Sequence, residues 1–233
     1  MAPIPFNILG YRFEKGLQVF KESFDSAMVG VLRKKEAIQA ELMEYKHSLD
    51  NGGKWIGERD EDGYLLWDRE TLLEMDLEES AEAVVELRKA FVLAIYHYWE
   101  RTIRIYCHTT EPGHPNLIDR AKENGIMIGQ HLERVHLLAN VLKHNSSKWG
   151  NRLIRAWPDV FSTRFQSNDQ TDWSAALAIT DLHVNDAFEA ILNSGPRSKL
   201  NGNEPWLRRD KDKVSSAAKD AKKRNYGKAI KAT

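Results

Sequence analysis

The chain has 233 residues, enough to bury a substantial core in one domain, and a formal net charge of zero, so nucleic-acid binding would have to come from local patches. Its single cysteine, Cys107, excludes an intrachain disulfide framework and suits a reducing cytoplasm. Residues Met1 to Phe6 lack the basic start and apolar run of a secretory signal. The most apolar stretch, Ala90 to Cys107, is interrupted by His97, Glu100, Arg101 and Arg104, so it reads as a core helix and not as a membrane span.

Residues 1–19, with early prolines and with Gly10 and Gly16, read as an irregular N-terminal arm that ends in a short helix. From Phe20 to Leu49 apolar residues recur at spacings of three and four, among them Phe24, Met28, Val31, Ile38, Leu42 and Tyr45. That spacing predicts a long amphipathic helix, stopped by Asp50-Asn51-Gly52-Gly53. Residues 54–67 hold two short aromatic-containing runs around an acidic turn ending in Asp62-Gly63, the pattern of a small β-hairpin that serves either as a docking flap or as an ornamental cap. The acidic run from Asp68 to Glu86 suits a solvated helical start, with Asp76 or Ser80 as a cap. The helix from about Glu79 to Cys107 is apolar in nearly every direction and belongs at the centre of the fold. Glu100 is its anomaly, because a carboxylate there must be paired, face a cleft or titrate high. Arg101, Arg104 or a neighbouring helix would be its ordinary partner.

Glu111 to Pro115 is a turn, and Asn116 is placed to cap a short helix that runs to Asn124 and ends at Gly125. Cys107, His108 and His114 lie close in sequence but lack the second ligand pair that structural zinc uses, so no metal is expected. The next helix, through Val135 and His144, is the most informative. At about 100° per residue, His136, Asn140, Lys143 and His144 fall within a narrow arc, while Val135, Leu138, Ala139, Val141 and Leu142 cover most of the remaining circumference. Such a polar line meets solvent or meets something functional, since each group buried without a partner is costly. Trp149 to Trp157 forms a short helix stopped by Pro158, and a polar loop occupies Ser167 to Asp172. The segment from Thr180 to Leu192, with Thr180 or Asp181 as N-cap, is a final core helix closed by Gly195-Pro196. Residues 196–233 form a basic tail carrying Arg208, Arg209, Lys222, Lys223 and Arg224, which either contacts phosphates or faces the acidic stretch from Glu58 to Glu86. The predicted architecture is all-α: a four-to-five-helix up-down bundle over residues 20–195, with the hairpin inserted at about 54–67 and the basic tail appended.

Tyr98-Trp99-Glu100 in the central helix, together with Ala139-Asn140-Val141-Leu142-Lys143-His144-Asn145 at the end of a later one, resembles the HEPN superfamily (higher eukaryotes and prokaryotes nucleotide-binding). The likeness covers roughly Asp25 to Ser194. It implies a helical bundle that dimerises and, as in many members, a metal-independent RNA endonuclease of toxin–antitoxin or antiviral defence systems, with no cofactor. The family signature is an arginine, a polar residue that is often asparagine, a few more residues and a histidine. His144 matches the histidine and Asn140 the polar position, while the arginine's place falls on Ala139.

The family chemistry is attack of a ribose 2′-hydroxyl on the adjacent phosphate, which needs a proton acceptor and a cation. The resemblance implies His144 as the acceptor, beside Asn140, with Lys143 substituting for the cation and Arg134 or Arg152 as further sources of charge; lysine offers a point charge where arginine offers a fork. Glu100, His136, Asn145 and the tail residues Arg208, Arg209, Lys222, Lys223 and Arg224 are the accompanying binding candidates. Two function classes follow. In one, a homodimer brings two copies of the site into a cleft that binds or cleaves RNA. In the other, a non-catalytic interaction module uses Asn140 and His144 to hydrogen-bond across the dimer or to the helix carrying Glu100. The expected partners are a second copy, RNA, and a cognate antitoxin or defence protein, in the cytoplasm and away from membranes.

Overall fold

Between Pro5 and Pro112 the sequence contains no proline, and it spends that stretch on two long helices joined by a hairpin. The computed structural model describes residues 6–199, so the basic residues Arg208, Arg209, Lys222, Lys223 and Arg224 lie outside the described residues. In chain order the elements are α1 (Ile8–Asp50), β1 (Gly57–Arg59), β2 (Leu65–Asp68), α2 (Arg69–Tyr106), α3 (His114–Glu123), α4 (Leu132–His144), α5 (Ser147–Ala156) and α6 (Asp181–Leu192), with a short 3₁₀ turn at Pro158–Val160. The described chain is therefore mostly helical, with one two-stranded antiparallel sheet. None of its described helices is long and apolar enough to cross a membrane.

The helix expected from Phe20 begins at Ile8, so residues 8–19 are regular and not an irregular arm. Gly10 and Gly16 interrupt nothing; they are places of close approach. A Cβ on Gly16 would lie 2.0 Å from the Tyr98 hydroxyl, and one on Gly10 would lie 2.2 Å from the Arg197 carbonyl oxygen. The hairpin falls where expected, pairing Gly57 with Asp68 and Glu58 with Trp67, with a register shift between Glu58 and Arg59. Asp60 makes its turn by accepting hydrogen bonds on Oδ1 from the backbone N–H groups of Asp62 (3.1 Å) and Tyr64 (2.8 Å).

The second long helix starts about ten residues before the expected position. Its N-cap is Asp68, not Asp76 or Ser80: Asp68 Oδ1 accepts from the Thr71 N–H at 2.8 Å, and this bond holds the carboxyl below the usual range. Ser80 lies inside the helix and donates to the Asp76 carbonyl. Likewise α3 starts at His114, and Asn116, expected as its cap, donates back to the Pro112 carbonyl.

The chain forms two compact units, drawn within the described residues from 6–17, 97–132 and 190–199 in one case and from 18–96 and 133–189 in the other. In the first unit, Trp99 is fully enclosed and its indole N–H donates to the Ser194 carbonyl at 2.7 Å. The Ser194 hydroxyl donates to Ala190 O at 2.6 Å and accepts the Gly129 N–H at 3.0 Å, so one buried serine joins three segments. Phe13 stacks on Tyr98, and Leu117 and Ala121 of α3 are buried.

In the second unit, α1 and α2 pair through Phe24 against Phe91, and then through Ile38, Leu42 and Leu73 nearer the hairpin. On α6, His183 completes the N-terminal turn: its Nδ1 accepts the Thr180 N–H at 3.1 Å, and its ring meets Trp157 edge-on. Asp181 is held from α2 by Arg88 at 2.8 Å. Trp173, in the loop before α6, is 2 % exposed and packs over Gly150 of α5, beside Phe161 and Phe165.

Candidate functional site

The polar line of α4 is divided by depth. Val135, Leu137, Leu138, Ala139 and Val141 are all at most 2 % exposed, so the helix is enclosed on its apolar sides within the chain itself. His136 and Asn140 face inward with them. The Asn140 side-chain amide donates to the His136 carbonyl at 2.8 Å and lies 3.1 Å from His136 Nδ1, while the Tyr96 hydroxyl of α2 reaches the same Nδ1 at 2.7 Å. These contacts tie the ring both to α2 and to its own helix. Trp149 of α5 meets that ring at 5.7 Å and 85°, an edge-to-face contact.

Burial and, after it, the positive charges of Arg152 and Lys143 together lower the His136 pKa to about 4. His136 is thus a neutral, hydrogen-bonded, half-buried group at physiological pH.

The remaining members of the line are at the surface. Lys143 and His144 occupy the exposed last turn of α4. Asn145 ends the helix with a positive φ of 42°, a conformation asparagine tolerates, and its Oδ1 accepts the Ser174 N–H at 3.0 Å. Its position therefore joins α4 to the loop holding Trp173. Immediately after it, α5 sets Lys148 and Arg152 against the Trp149 ring, at 5.1 and 5.0 Å from the centroid. Arg152 is further oriented by Glu133 at 3.0 Å. Gly150 and Leu153 form the buried side of α5, and Asn151, Arg152 and Arg155 its exposed side. The outcome is a partly exposed indole flanked by Lys148 and Arg152, shortly after the exposed last turn of α4 that carries Lys143 and His144.

Ala139, at the place where the resemblance expects an arginine, is fully buried. A guanidinium there would have to displace core side chains, so positive charge comes from α5 and from Lys143 instead. Glu100 belongs to the other compact unit, and its Oε2 lies 3.0 Å from His97 Nδ1 on the same helix. Among the sequence candidates the structure therefore groups His136 with Asn140 inside, and Lys143 with His144 outside. Tyr96, Lys148 and Trp149 belong to this neighbourhood but were not singled out from sequence. A tryptophan flanked by cations one residue before and three after it is the signal that marks α5.

In chemical terms, the exposed face offers point charges, a guanidinium, an imidazole and a π-surface, the equipment for holding phosphate groups and an adjoining base. Comparisons with models of known protein families, with curated proteins and with solved structures find no match.

Proposed function

We propose that this chain is an RNA-associated cytoplasmic protein with a HEPN-like helical bundle, and that it engages the phosphates of single-stranded RNA through Lys143, His144, Lys148 and Arg152 with a base against Trp149. The observation that carries this reading is the Trp149 ring with Lys148 and Arg152 at 5.1 and 5.0 Å from its centroid, shortly after the exposed last turn of α4 with Lys143 and His144. Neutralised phosphates release counterions, so affinity falls with salt, and stacking on an indole tolerates any base. In the endoribonuclease form of the proposal, His144 accepts the 2′-hydroxyl proton while Lys143 or Arg152 balances the developing phosphorane charge. The setting carried over from the resemblance is a toxin or antiviral defence system with a cognate antitoxin or defence partner.

A second reading, a non-catalytic dimeric interaction module, is favoured by two observations. Asn140 is 9 % exposed and directs its amide at His136, and Ala139 leaves the arginine position inside the core. One experiment separates the readings: purified protein and single-stranded RNA without added metal, scored for binding by fluorescence anisotropy across salt and for cleavage on gels. Replacing Lys143 and Lys148 together by alanine is expected to reduce the slope of log affinity against log salt by about 1.4. Cleavage that disappears in His144→Ala with an unchanged melting temperature supports the endoribonuclease, and binding without cleavage supports the module. No RNA affinity at low salt, or an unaltered slope in the double variant, overturns the phosphate-binding face.

A further inference from the structure

The C-terminal end of α2 is built around a histidine in a glycine's place. Thr109 donates its backbone N–H to the Arg104 carbonyl at 3.0 Å, and His108 donates to the Ile105 carbonyl at 3.3 Å. This pair of bonds closes a helix through one left-handed residue, and that residue is His108, with a φ of 50°. After α1 and α3 the left-handed place is held by Gly52 and Gly125, at 81° and 79°, and after α4 by Asn145. A histidine Cβ is crowded in this conformation, so glycine would hold the turn with less strain. A side chain kept at a strained place points to a use for that side chain.

His108 stands on an open cleft of about 700 Å³ in the first unit, lined also by Arg104, Ile105, Thr109, Thr110 and Pro112. That volume falls in the range of small-molecule sites. The lining holds one fixed cation and no carboxylate. Arg104 is oriented by the bond that its Nη1 donates to the Glu111 carbonyl, and among the described residues it enters no ion pair. The carboxylate of the same Glu111 is taken by Arg120. Thr109 Oγ1 accepts the Glu111 N–H at 3.2 Å, which leaves its own O–H to donate, and the next residue, Thr110, is exposed. The Arg104 and Ile105 carbonyls, which at a bare helix end would repel an anion, are already bonded. Ile105, 59 % exposed, and Pro112 give the cleft its apolar wall.

We propose that this cleft binds a small organic carboxylate. The anionic head sits on the Arg104 guanidinium and the threonine hydroxyls, the apolar body lies against Ile105 and Pro112, and the His108 ring flanks it. A planar fork with one positive charge suits a carboxylate monoanion, whereas a phosphate dianion would bring charge that nothing in the lining balances. The site uses no residue of α4 or α5, so it stands independently of the RNA reading. Its test is a nuclear magnetic resonance titration of the full chain with hexanoate, beside hexanol and hexylamine as neutral and cationic controls. Hexanoate is expected to saturate with a dissociation constant of about millimolar order and to shift the backbone signals of residues 104–111, with both controls at least about tenfold weaker. Arg104→Gln and Ile105→Glu are each expected to weaken hexanoate by at least about tenfold with unchanged circular dichroism. His108→Gly separates strain from use: it is expected to melt no lower than wild type and to bind hexanoate at least about threefold more weakly, a loss that a purely structural histidine would not produce. No saturable shift by about 50 mM hexanoate, hexylamine binding as tightly as hexanoate, Arg104→Gln and Ile105→Glu both binding like wild type, or His108→Gly binding like wild type overturns the proposal.

Discussion

Acid should unfold this chain partly through one imidazole. His136 is held neutral by burial and by the nearby Arg152 and Lys143, with its pKa lowered from 6.5 to about 4. For a histidine whose folded pKa is depressed, the associated stability is fully present above 6.5 and is lost as pH falls towards 4. The whole interval corresponds to about 3 kcal/mol at roughly 1.4 kcal/mol per pKa unit. The ring is only partly buried, and solvent screening reduces this to about 1.5 kcal/mol. Urea denaturation followed by circular dichroism at pH 7.5 and pH 4.5, on wild type and on His136→Gln, isolates the contribution, because glutamine keeps a polar amide but does not titrate. The variant is expected to be less stable at pH 7.5, by about 1 kcal/mol for the altered hydrogen bonding with Tyr96 and Asn140. Its loss between the two pH values should nevertheless be smaller than that of wild type by about 1.5 kcal/mol, equal to roughly 0.5–1 M urea in midpoint. Parallel losses in the two proteins would refute a buried neutral His136. The lowered pKa of His183 acts in the same direction in both proteins and cancels from the comparison.

Two further outcomes test the packing. Gly150→Ala would place a Cβ 2.0 Å from the Trp173 ring, which is held by Phe161 and Phe165, so a loss of about 1–3 kcal/mol in thermal or urea unfolding is expected; an unchanged midpoint would mean that the loop yields freely. Burial pushes the Cys107 thiol up to about 11 from 9.0, so alkylation at pH 8 should run about a hundredfold slower than for an unperturbed thiol and keep accelerating past pH 10. A rate equal to that of free cysteine would contradict that environment.

The parts of the fold legible in the sequence were those governed by short-range chemistry. Asp62-Gly63 between aromatic runs specifies the hairpin, and the spacing from Leu182 to Leu192 specifies α6, because turn geometry and helical period act over a few residues. The start of α1 was misread because a glycine looks the same whether it breaks a helix or admits a neighbouring side chain, and the Tyr98 that explains Gly16 lies far along the chain. The contact of Glu100 with His97 is a short-range feature too, since His97 stands one turn before it on the same helix.

The site was half legible for a geometric reason. Helical period aligns His136, Asn140, Lys143 and His144, yet the depth of each is set by Tyr96 and Trp149 on other elements. The inner pair therefore became structure and the outer pair surface, a division that no local spacing encodes.

The enclosure of Trp99 by Ser194, and of Trp173 by Gly150, gives each compact unit its own optical reporter. Both indoles are almost fully shielded from water, at 0 and 2 % exposure, so each should emit at short wavelength while its surroundings are intact and shift to the red when they open. With Trp55, Trp67, Trp149, Trp157 and Trp206 also replaced by phenylalanine, phenylalanine at one of the two positions leaves the other to be followed alone. Whether the molecule comes apart in one cooperative event or in two thus becomes a matter of comparing two emission curves, without any label attached.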